Sequence, residues 1–279
     1  MTKPTYHLYG QYSPDEGFAI YSDCYRQLAK LQIYHLANSL RAGDRPLECQ
    51  PKPPAGRTLV EFAAAAWTPF HNRYFRDSTV PGHHREPKWL EFTNALETAL
   101  NERPNEPLAP LTDRIYTTLV ESLLEADLRT QRDTWEAPCP FGAFRYNAHG
   151  DHMELHFHNP FMPDSPFRHP SELVEGLQGI IDDISVRSLD IRSLSCESWI
   201  NYLAPFQALF PKSYIDSMTP TTPDNKGGNG WWGQYIDKTG RLNEKRAQTL
   251  RDTRQFDFLR ARAECPYSDF VAHIKTLKP

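Results

Sequence analysis

The chain has 279 residues, of which 39% are hydrophobic and 24% are charged, and its formal net charge at pH 7 is −4. This hydrophobic content can form a core, which excludes an intrinsically disordered chain, and the weakly acidic charge gives no reason to expect a nucleic-acid partner. No run of 18 apolar residues occurs, and the first residues lack the pattern of a signal peptide. We therefore expect a cytoplasmic globular protein with no membrane span.

The cysteines do not have the number or spacing of a disulfide framework or a metal site. Their number is odd, and no two of them have the CxxC spacing that is typical of a zinc site or a redox pair. We expect them to be small buried thiols in a reducing cytoplasm, at Cys24, Cys49, Cys139, Cys196 and Cys265.

The first half of the chain has the hydrophobic spacing of helices. Apolar residues recur at intervals of three and four in the segment 15–40, and Ser13 followed by Pro14 is a typical helix start. Pro69 is expected to kink or end the second helix. The predicted helices cover residues 15–40, 58–74, 86–101 and 111–134.

The second half mixes strand and helix patterns. Two alternating segments, 143–147 and 152–158, flank the turn residues 148–151 and predict a β-hairpin. Later segments predict a helix over 171–184, a strand around 189–196, a short helix over 205–210, an extended segment over 231–237 and a helix over 243–253.

These patterns predict an α+β fold. A helical N-terminal half, residues 1–136, is followed by a mixed or antiparallel sheet with packed helices, residues 137–279. The two regions are either separate domains or one continuous domain.

Residues 152–158 carry the strongest functional pattern. Side chains alternate between the two faces of a strand, so Met153 points into the core while His152, Glu154, His156 and His158 form a row on the opposite face. A histidine in this row could serve as a general base or contact the substrate. Alternatively, His156, His158 and Glu154 could bind a metal ion of the non-haem iron type, or the row could be a solvated face.

Two segments further along the chain could form the walls of a pocket. The apolar and proline-rich segment 159–167, which contains Phe161, is too stiff and apolar for an ordinary loop. The glycine-rich segment 228–233 contains Trp231 and Trp232, and its context does not fit a dinucleotide-binding loop. Such a loop could close over a ligand or connect two elements around a buried indole.

Cys196 to Asn201 follow the predicted third strand. Rigid strand ends position polar groups well, so Ser198 and Asn201 are candidates to polarise a substrate carbonyl. Cys196 could be a nucleophile if a histidine lies nearby, although a core position is the more common role. Trp199 is expected to pack beneath the site.

Three short motifs in this half resemble a known family. The segments FGAFRY at 141–146, ELHF at 154–157 and LSCESWI at 194–200 occur in an order that resembles the C-terminal acyltransferase-like domain of certain bacterial GNAT-related proteins. The resemblance covers residues 141–215. It implies an acyl-transfer fold and places His156, Cys196, Ser198 and Trp199 near a common site.

The leading hypothesis is therefore a small-molecule enzyme, a GNAT-like acyltransferase that uses acyl-CoA. His156 or His158 would be the general base, Ser198 and Asn201 would polarise the carbonyl, and the substrate would contact aromatic residues and Cys196. The alternatives are a metal-dependent enzyme and a non-catalytic ligand-binding or scaffold protein. The residues proposed to contact the substrate are Phe161, Cys196, Trp199, Trp231 and Trp232.

Overall fold

A computed structural model describes most of the chain. The described residues are 11–46, 58–71, 87–133, 135, 139–221 and 229–277. Cys49 and the first glycine of the 228–233 segment lie outside them, as does the end of the helix predicted over 58–74.

The described part of the first half is helical, as predicted. Ser13 caps the first helix, because its hydroxyl accepts a hydrogen bond from the Glu16 N–H and Pro14 occupies the first helical position. None of the described helices is long and apolar enough to span a membrane. The helices are α1 Pro14–Arg41, α2 Leu59–Trp67, α3 Pro87–Glu102, α4 Leu108–Ile115 and α5 Glu121–Asp133.

The helix predicted over 111–134 is longer and less regular than expected. It begins at Leu108, and a π-helical segment at Tyr116–Val120 separates α4 from α5. The extra residue per turn shifts the apolar face, and Tyr116 and Val120 are both buried in the core of the helical half.

The described residues of the second half form a five-stranded mixed sheet. The strand order is β1-β2-β3-β5-β4, and only β2 and β3 are parallel. A parallel pair needs a crossover connection, which the helix at Pro170–Val186 provides. The strands are β1 Phe144–His149, β2 His152–Phe157, β3 Ser193–Ser198, β4 Thr219–Pro220 and β5 Ala261–Pro266. The α+β prediction is confirmed.

Helices cover one side of this sheet. Met153 and Leu155 of β2 are buried against Leu177 and Ile180 of α6, in the core of the second half. The alternation read from residues 152–157 is therefore the alternation observed. The helices of this half are α6 Pro170–Val186, α7 Ala204–Gln207, α8 Lys212–Asp216, α9 Asn229–Trp232, α10 Glu244–Thr253 and α11 Tyr267–Ile274.

The prediction of an extended segment over 231–237 is wrong. This segment forms α9 and a 3₁₀ turn at Gly233–Tyr235, and an isolated bridge joins Ile236 to Leu242. Trp231, Trp232 and Tyr235 are all buried. They are one, three and four residues apart, and helical turns place residues three and four apart on the same face, whereas a strand would place residues three apart on opposite faces.

A third apolar cluster joins the two halves. Leu28 and Leu31 of α1 pack with Trp231 and Trp232, and the Asn38 side-chain amide donates a hydrogen bond of 2.8 Å to the Arg251 carbonyl of α10. The two predicted regions are thus in direct contact, and the domain boundary near residue 136 stays a prediction.

Candidate functional site

The side of the sheet opposite α6 carries polar side chains, and we call it the polar face. Four neighbouring strands contribute to it through their alternate residues. The polar face is formed by Arg145, Asn147 and His149 of β1, His152, Glu154 and His156 of β2, Ser193, Ser195 and Glu197 of β3, and Arg262 and Glu264 of β5.

His152 is held between two serine hydroxyls of the neighbouring strand. Its Nδ1 atom lies 2.9 Å from the Ser193 Oγ atom, and its Nε2 atom lies 2.8 Å from the Ser195 Oγ atom. The parallel register aligns His152 with Ser193, which places both serines within reach of the ring. A neutral imidazole has one N–H and one lone pair, so one serine accepts a hydrogen bond from the ring while the other donates one.

This arrangement contains the parts of an activated hydroxyl. When Nδ1 carries the proton and donates it to Ser193, the lone pair of Nε2 accepts the hydrogen bond of Ser195. Ser193 then orients the ring, and His152 can accept the proton of the Ser195 hydroxyl. Ser195 itself is buried, with 5% of its surface exposed. A nucleophile, a base and a group that orients the base are the elements of nucleophilic catalysis.

Two carboxylates flank Ser195 on the polar face. Strand register places Ser195 between Glu154 of β2 and Glu264 of β5. Each carboxylate has a basic neighbour, because His156 lies 3.9 Å from Glu154 and Arg262 lies 3.3 Å from Glu264. The surroundings of the Ser195 hydroxyl are therefore rich in negative charge that is partly compensated.

His156 lies on the exposed part of the polar face. Its Nε2 atom is 2.9 Å from the Asn147 side-chain amide nitrogen, and its side chain is 40% exposed. The structure thus brings His156 beside Glu154, as the row predicted, and it can contact a ligand on this face.

His158 differs from the other histidines of the row in its burial. The strand β2 ends at Phe157, and the His158 backbone N–H donates to the Ala143 carbonyl. Both ring nitrogens are buried without a hydrogen-bond partner. Burial, with a smaller contribution from the Arg145 charge, lowers the pKa of His158 to about 4. The ring is therefore neutral at pH 7.

Cys196 and Asn201 belong to a buried hydrogen-bond network. Burial raises the pKa of the Cys196 thiol to about 12, so the thiol is protonated at neutral pH. The Asn201 amide donates to the carbonyls of Cys196 and Ala261, at 3.0 and 2.8 Å, and its side-chain oxygen accepts from the Tyr214 hydroxyl. The predicted role of Asn201 in polarising a substrate carbonyl would require these bonds to break.

Ser198 caps a short turn. Its hydroxyl accepts a weak hydrogen bond of 3.4 Å from the Ile200 N–H, at the start of the 3₁₀ turn Trp199–Tyr202. Trp199 is half-buried and packs against Phe258, and the Arg246 guanidinium lies 5.6 Å from the centre of its indole ring.

The other aromatic candidates are in the interior. Trp231 and Trp232 are fully buried around Phe256, at ring distances of 5.3 and 5.1 Å, so they are core residues in this structure. Phe161 is buried and stacks on His169 at 4.3 Å.

The described residues contain no group of three or more histidine, cysteine, aspartate or glutamate side chains that could hold a metal ion. The predicted set of Glu154, His156 and His158 does not form such a group. The ring nitrogens of His158 are buried, whereas the side chains of Glu154 and His156 are 43% and 40% exposed.

Ser193 and Ser195 were not among the sequence candidates. They occupy alternate positions of the segment predicted as a strand around 189–196, and this alternation was the one sequence pattern that could have placed them together on one face of the sheet. The register that aligns them with His152 joins residues about 40 positions apart, and local patterns do not specify such a pairing.

The polar face therefore holds one hydroxyl–imidazole pair that is already assembled, His152 with Ser195. In comparisons with protein families, curated proteins and solved structures, the chain matches none of them.

Proposed function

We propose that this protein is an acyl-transfer enzyme that acts on small esters or thioesters at the polar face, with Ser195 as nucleophile and His152 as general base. The observation that carries the proposal is the contact of 2.8 Å between the Ser195 Oγ and His152 Nε2 atoms, with Ser193 on the opposite ring nitrogen. The proposal keeps the histidine base of the leading hypothesis and moves it from His156 or His158 to His152.

The chemical step follows from this geometry. The Ser195 oxygen forms a bond to the acyl carbon while its proton passes to His152 Nε2. The bond between the acyl carbon and the leaving group breaks, and the leaving alcohol or thiol takes the proton from the imidazole. Water or another acceptor then releases the acyl group from Ser195 by the reverse proton path.

The flanking carboxylates support a substrate class. The transition state of acyl transfer develops negative charge on the acyl oxygen, which Glu154 and Glu264 would repel. A substrate that carries an ammonium group would bind these carboxylates and compensate for that charge. We therefore expect a preference for cationic esters or thioesters over neutral ones of the same shape.

Two further expectations belong to this proposal. Acyl-CoA, the donor implied by the GNAT resemblance, is a thioester and can be tested as an acyl donor. A cytoplasmic location is supported by the cysteines, because Cys24, Cys139, Cys196 and Cys265 are all free thiols.

A matched pair of thioesters tests the function. Acetylthiocholine carries a quaternary ammonium group, and S-(3,3-dimethylbutyl) thioacetate has the same shape without the charge. We expect kcat/KM to be about fivefold higher for the cationic compound, because an exposed ion pair contributes up to about 1 kcal/mol. The double substitution Glu154→Gln and Glu264→Gln should abolish this preference.

The serine variants decide whether the turnover belongs to the proposed site. Ser195→Ala should abolish hydrolysis of both thioesters, while Ser213→Ala, which removes a serine bonded to Asp269, should leave it unchanged. Equal turnover by the Ser195→Ala variant, or no turnover by the folded wild-type protein, would overturn the proposal.

A further inference from the structure

A second candidate site lies on the opposite, helix-covered side of the sheet. It is an apolar cleft between the first turn of α6, the helix α7 and the C-terminal residues of the described chain. Phe157, at the end of β2, stacks on Phe167 at 6.1 Å and contacts Phe206 at 5.4 Å, which places the cleft beside the end of this strand. The lining residues are Phe167, Pro170, Leu173, Val174, Pro205, Ala208, Leu209 and Leu277.

The lining restricts the chemistry of a ligand. Every one of these eight side chains is apolar, and none can donate or accept a hydrogen bond. A polar group placed against them would lose hydrogen bonds to water that these side chains cannot replace, which is costly. The walls therefore favour a hydrocarbon ligand.

The cleft has a buried base and an exposed rim. Leu173 and Leu209 are buried in the core of the second half, whereas Pro170, Pro205 and Ala208 are exposed at the rim. Two rim positions are prolines, whose backbone has little freedom. The cleft is thus open to solvent at its rim and closed by buried leucines at its base.

The volume sets the size of the ligand. The cleft has a volume of about 260 Å³. A methylene group is similar in size to a water molecule, which occupies roughly 30 Å³ in the liquid. The cleft therefore accommodates a chain of about nine carbon atoms.

We propose that this cleft binds the unbranched alkyl chain of a medium-length fatty acid, with its carboxylate at the exposed rim. The site is separate from Ser195, which lies on the polar face, and its occupation does not depend on the proposed catalytic activity. Arg168, two residues before Pro170, is 70% exposed and lies 3.4 Å from the Asp164 carboxylate, so a fatty-acid carboxylate at the rim would compete with Asp164 for this guanidinium.

Calorimetric titration with a series of straight-chain alkanoates, from butanoate to dodecanoate and below their micelle concentrations, tests the proposal. We expect the affinity to rise about fourfold for each added methylene, from the free energy of burying that group. The rise should end near nine carbon atoms. Affinity that is independent of chain length, or no binding of decanoate, would overturn the proposal.

Two variants locate the binding. Ala208→Trp fills the cleft from its exposed rim and should reduce decanoate affinity at least tenfold. Val186→Trp is the matched control, because Val186 is 84% exposed and lies about 24 Å away at the other end of α6. Unchanged affinity in a folded Ala208→Trp variant would contradict the proposal. If that variant does not fold, Leu277→Glu at the cleft edge should weaken binding instead.

A membrane is the competing source of alkyl chains. Sedimentation with neutral phosphatidylcholine vesicles distinguishes it from a free fatty acid. We expect no co-sedimentation. Binding to vesicles without binding of monomeric decanoate would assign the cleft to a lipid surface and overturn the proposal.

Discussion

The Nε2 atom of His152 lies 2.8 Å from the Ser195 hydroxyl, although the two residues are 43 positions apart in the chain. The contact depends on the parallel pairing of β2 with β3, because a shift of the register by one residue would turn both serines to the other face of the sheet. The fold therefore fixes the geometry of the proposed nucleophile and its base.

Acid should destabilise the protein through His158. The folded protein protonates this ring only near pH 4, whereas the unfolded chain does so near its ordinary value of 6.5. Between these values the unfolded state binds more protons, so stability is fully present above pH 6.5 and falls as the pH drops towards 4. The full loss amounts to about 3 kcal/mol.

Urea unfolding at pH 7 and at pH 4.5 measures this effect. In a His158→Phe variant, the fall in the free energy of unfolding between the two pH values should be smaller than in the wild type. His156→Ala is the control, because that side chain is 40% exposed, and it should keep the wild-type dependence. An identical pH dependence in the His158→Phe variant would show that another group is responsible.

Asn201→Ala should lower stability by about 3 kcal/mol. The substitution leaves the Cys196 and Ala261 carbonyls and the Tyr214 hydroxyl without their buried partner. Asn147→Ala removes an exposed amide from the polar face and should change stability by less than about 0.5 kcal/mol. Chemical denaturation checks both values. A folded and equally stable Asn201→Ala variant that had lost activity would instead support the catalytic role predicted for Asn201.

Two glycines of α6 should differ sharply in their tolerance of alanine. A Cβ atom at Gly176 would lie 2.4 Å from the Phe141 carbonyl oxygen, so the helix or the loop must move. At Gly179 the nearest atom is 3.3 Å away, in the Phe141 ring, which can adjust. We expect Gly176→Ala to cost about 2–3 kcal/mol and Gly179→Ala to cost less than about 1 kcal/mol. Thermal unfolding of both variants measures the difference, and similar losses would show that the contact at Phe141 is not limiting.

Sequence patterns predicted those elements whose first residue and buried face are determined by residues close to them in the chain. Ser13 and Pro14 mark the beginning of α1 at the position observed, and the alternation of residues 152–157 marks the buried and polar faces of β2. In both cases the residues that decide the structure lie within a few positions of one another.

Tertiary packing decided the parts that the sequence patterns missed. Trp231, Trp232 and Tyr235 read as an extended aromatic segment, and their burial against α1 stabilises helical turns instead. The strand β5 alternates between buried and exposed residues, with Arg262 and Glu264 exposed, and no element was predicted over this segment. The helical turns at 231–235 and the strand β5 both depend on packing against residues far away in the chain, which local sequence patterns do not include.

The same distinction applies to the candidate site. The histidine row identified the polar face, and Glu154 and His156 lie there together. The alternation did not show that β2 ends at Phe157 or that the ring nitrogens of His158 are buried. The partners of His152 on β3 depend on strand order and register, which are properties of the whole sheet.

Labelling with a fluorophosphonate probe tests the central proposal most directly. The Ser195 oxygen would form a bond to phosphorus as fluoride leaves, and His152 would accept the hydroxyl proton. Intact mass and peptide mapping should find one adduct on Ser195 of the folded protein, absent in Ser195→Ala and formed roughly a hundredfold more slowly in His152→Asn. A folded wild-type protein with no adduct on Ser195, or with the same rate of labelling in the His152→Asn variant, would contradict the proposal.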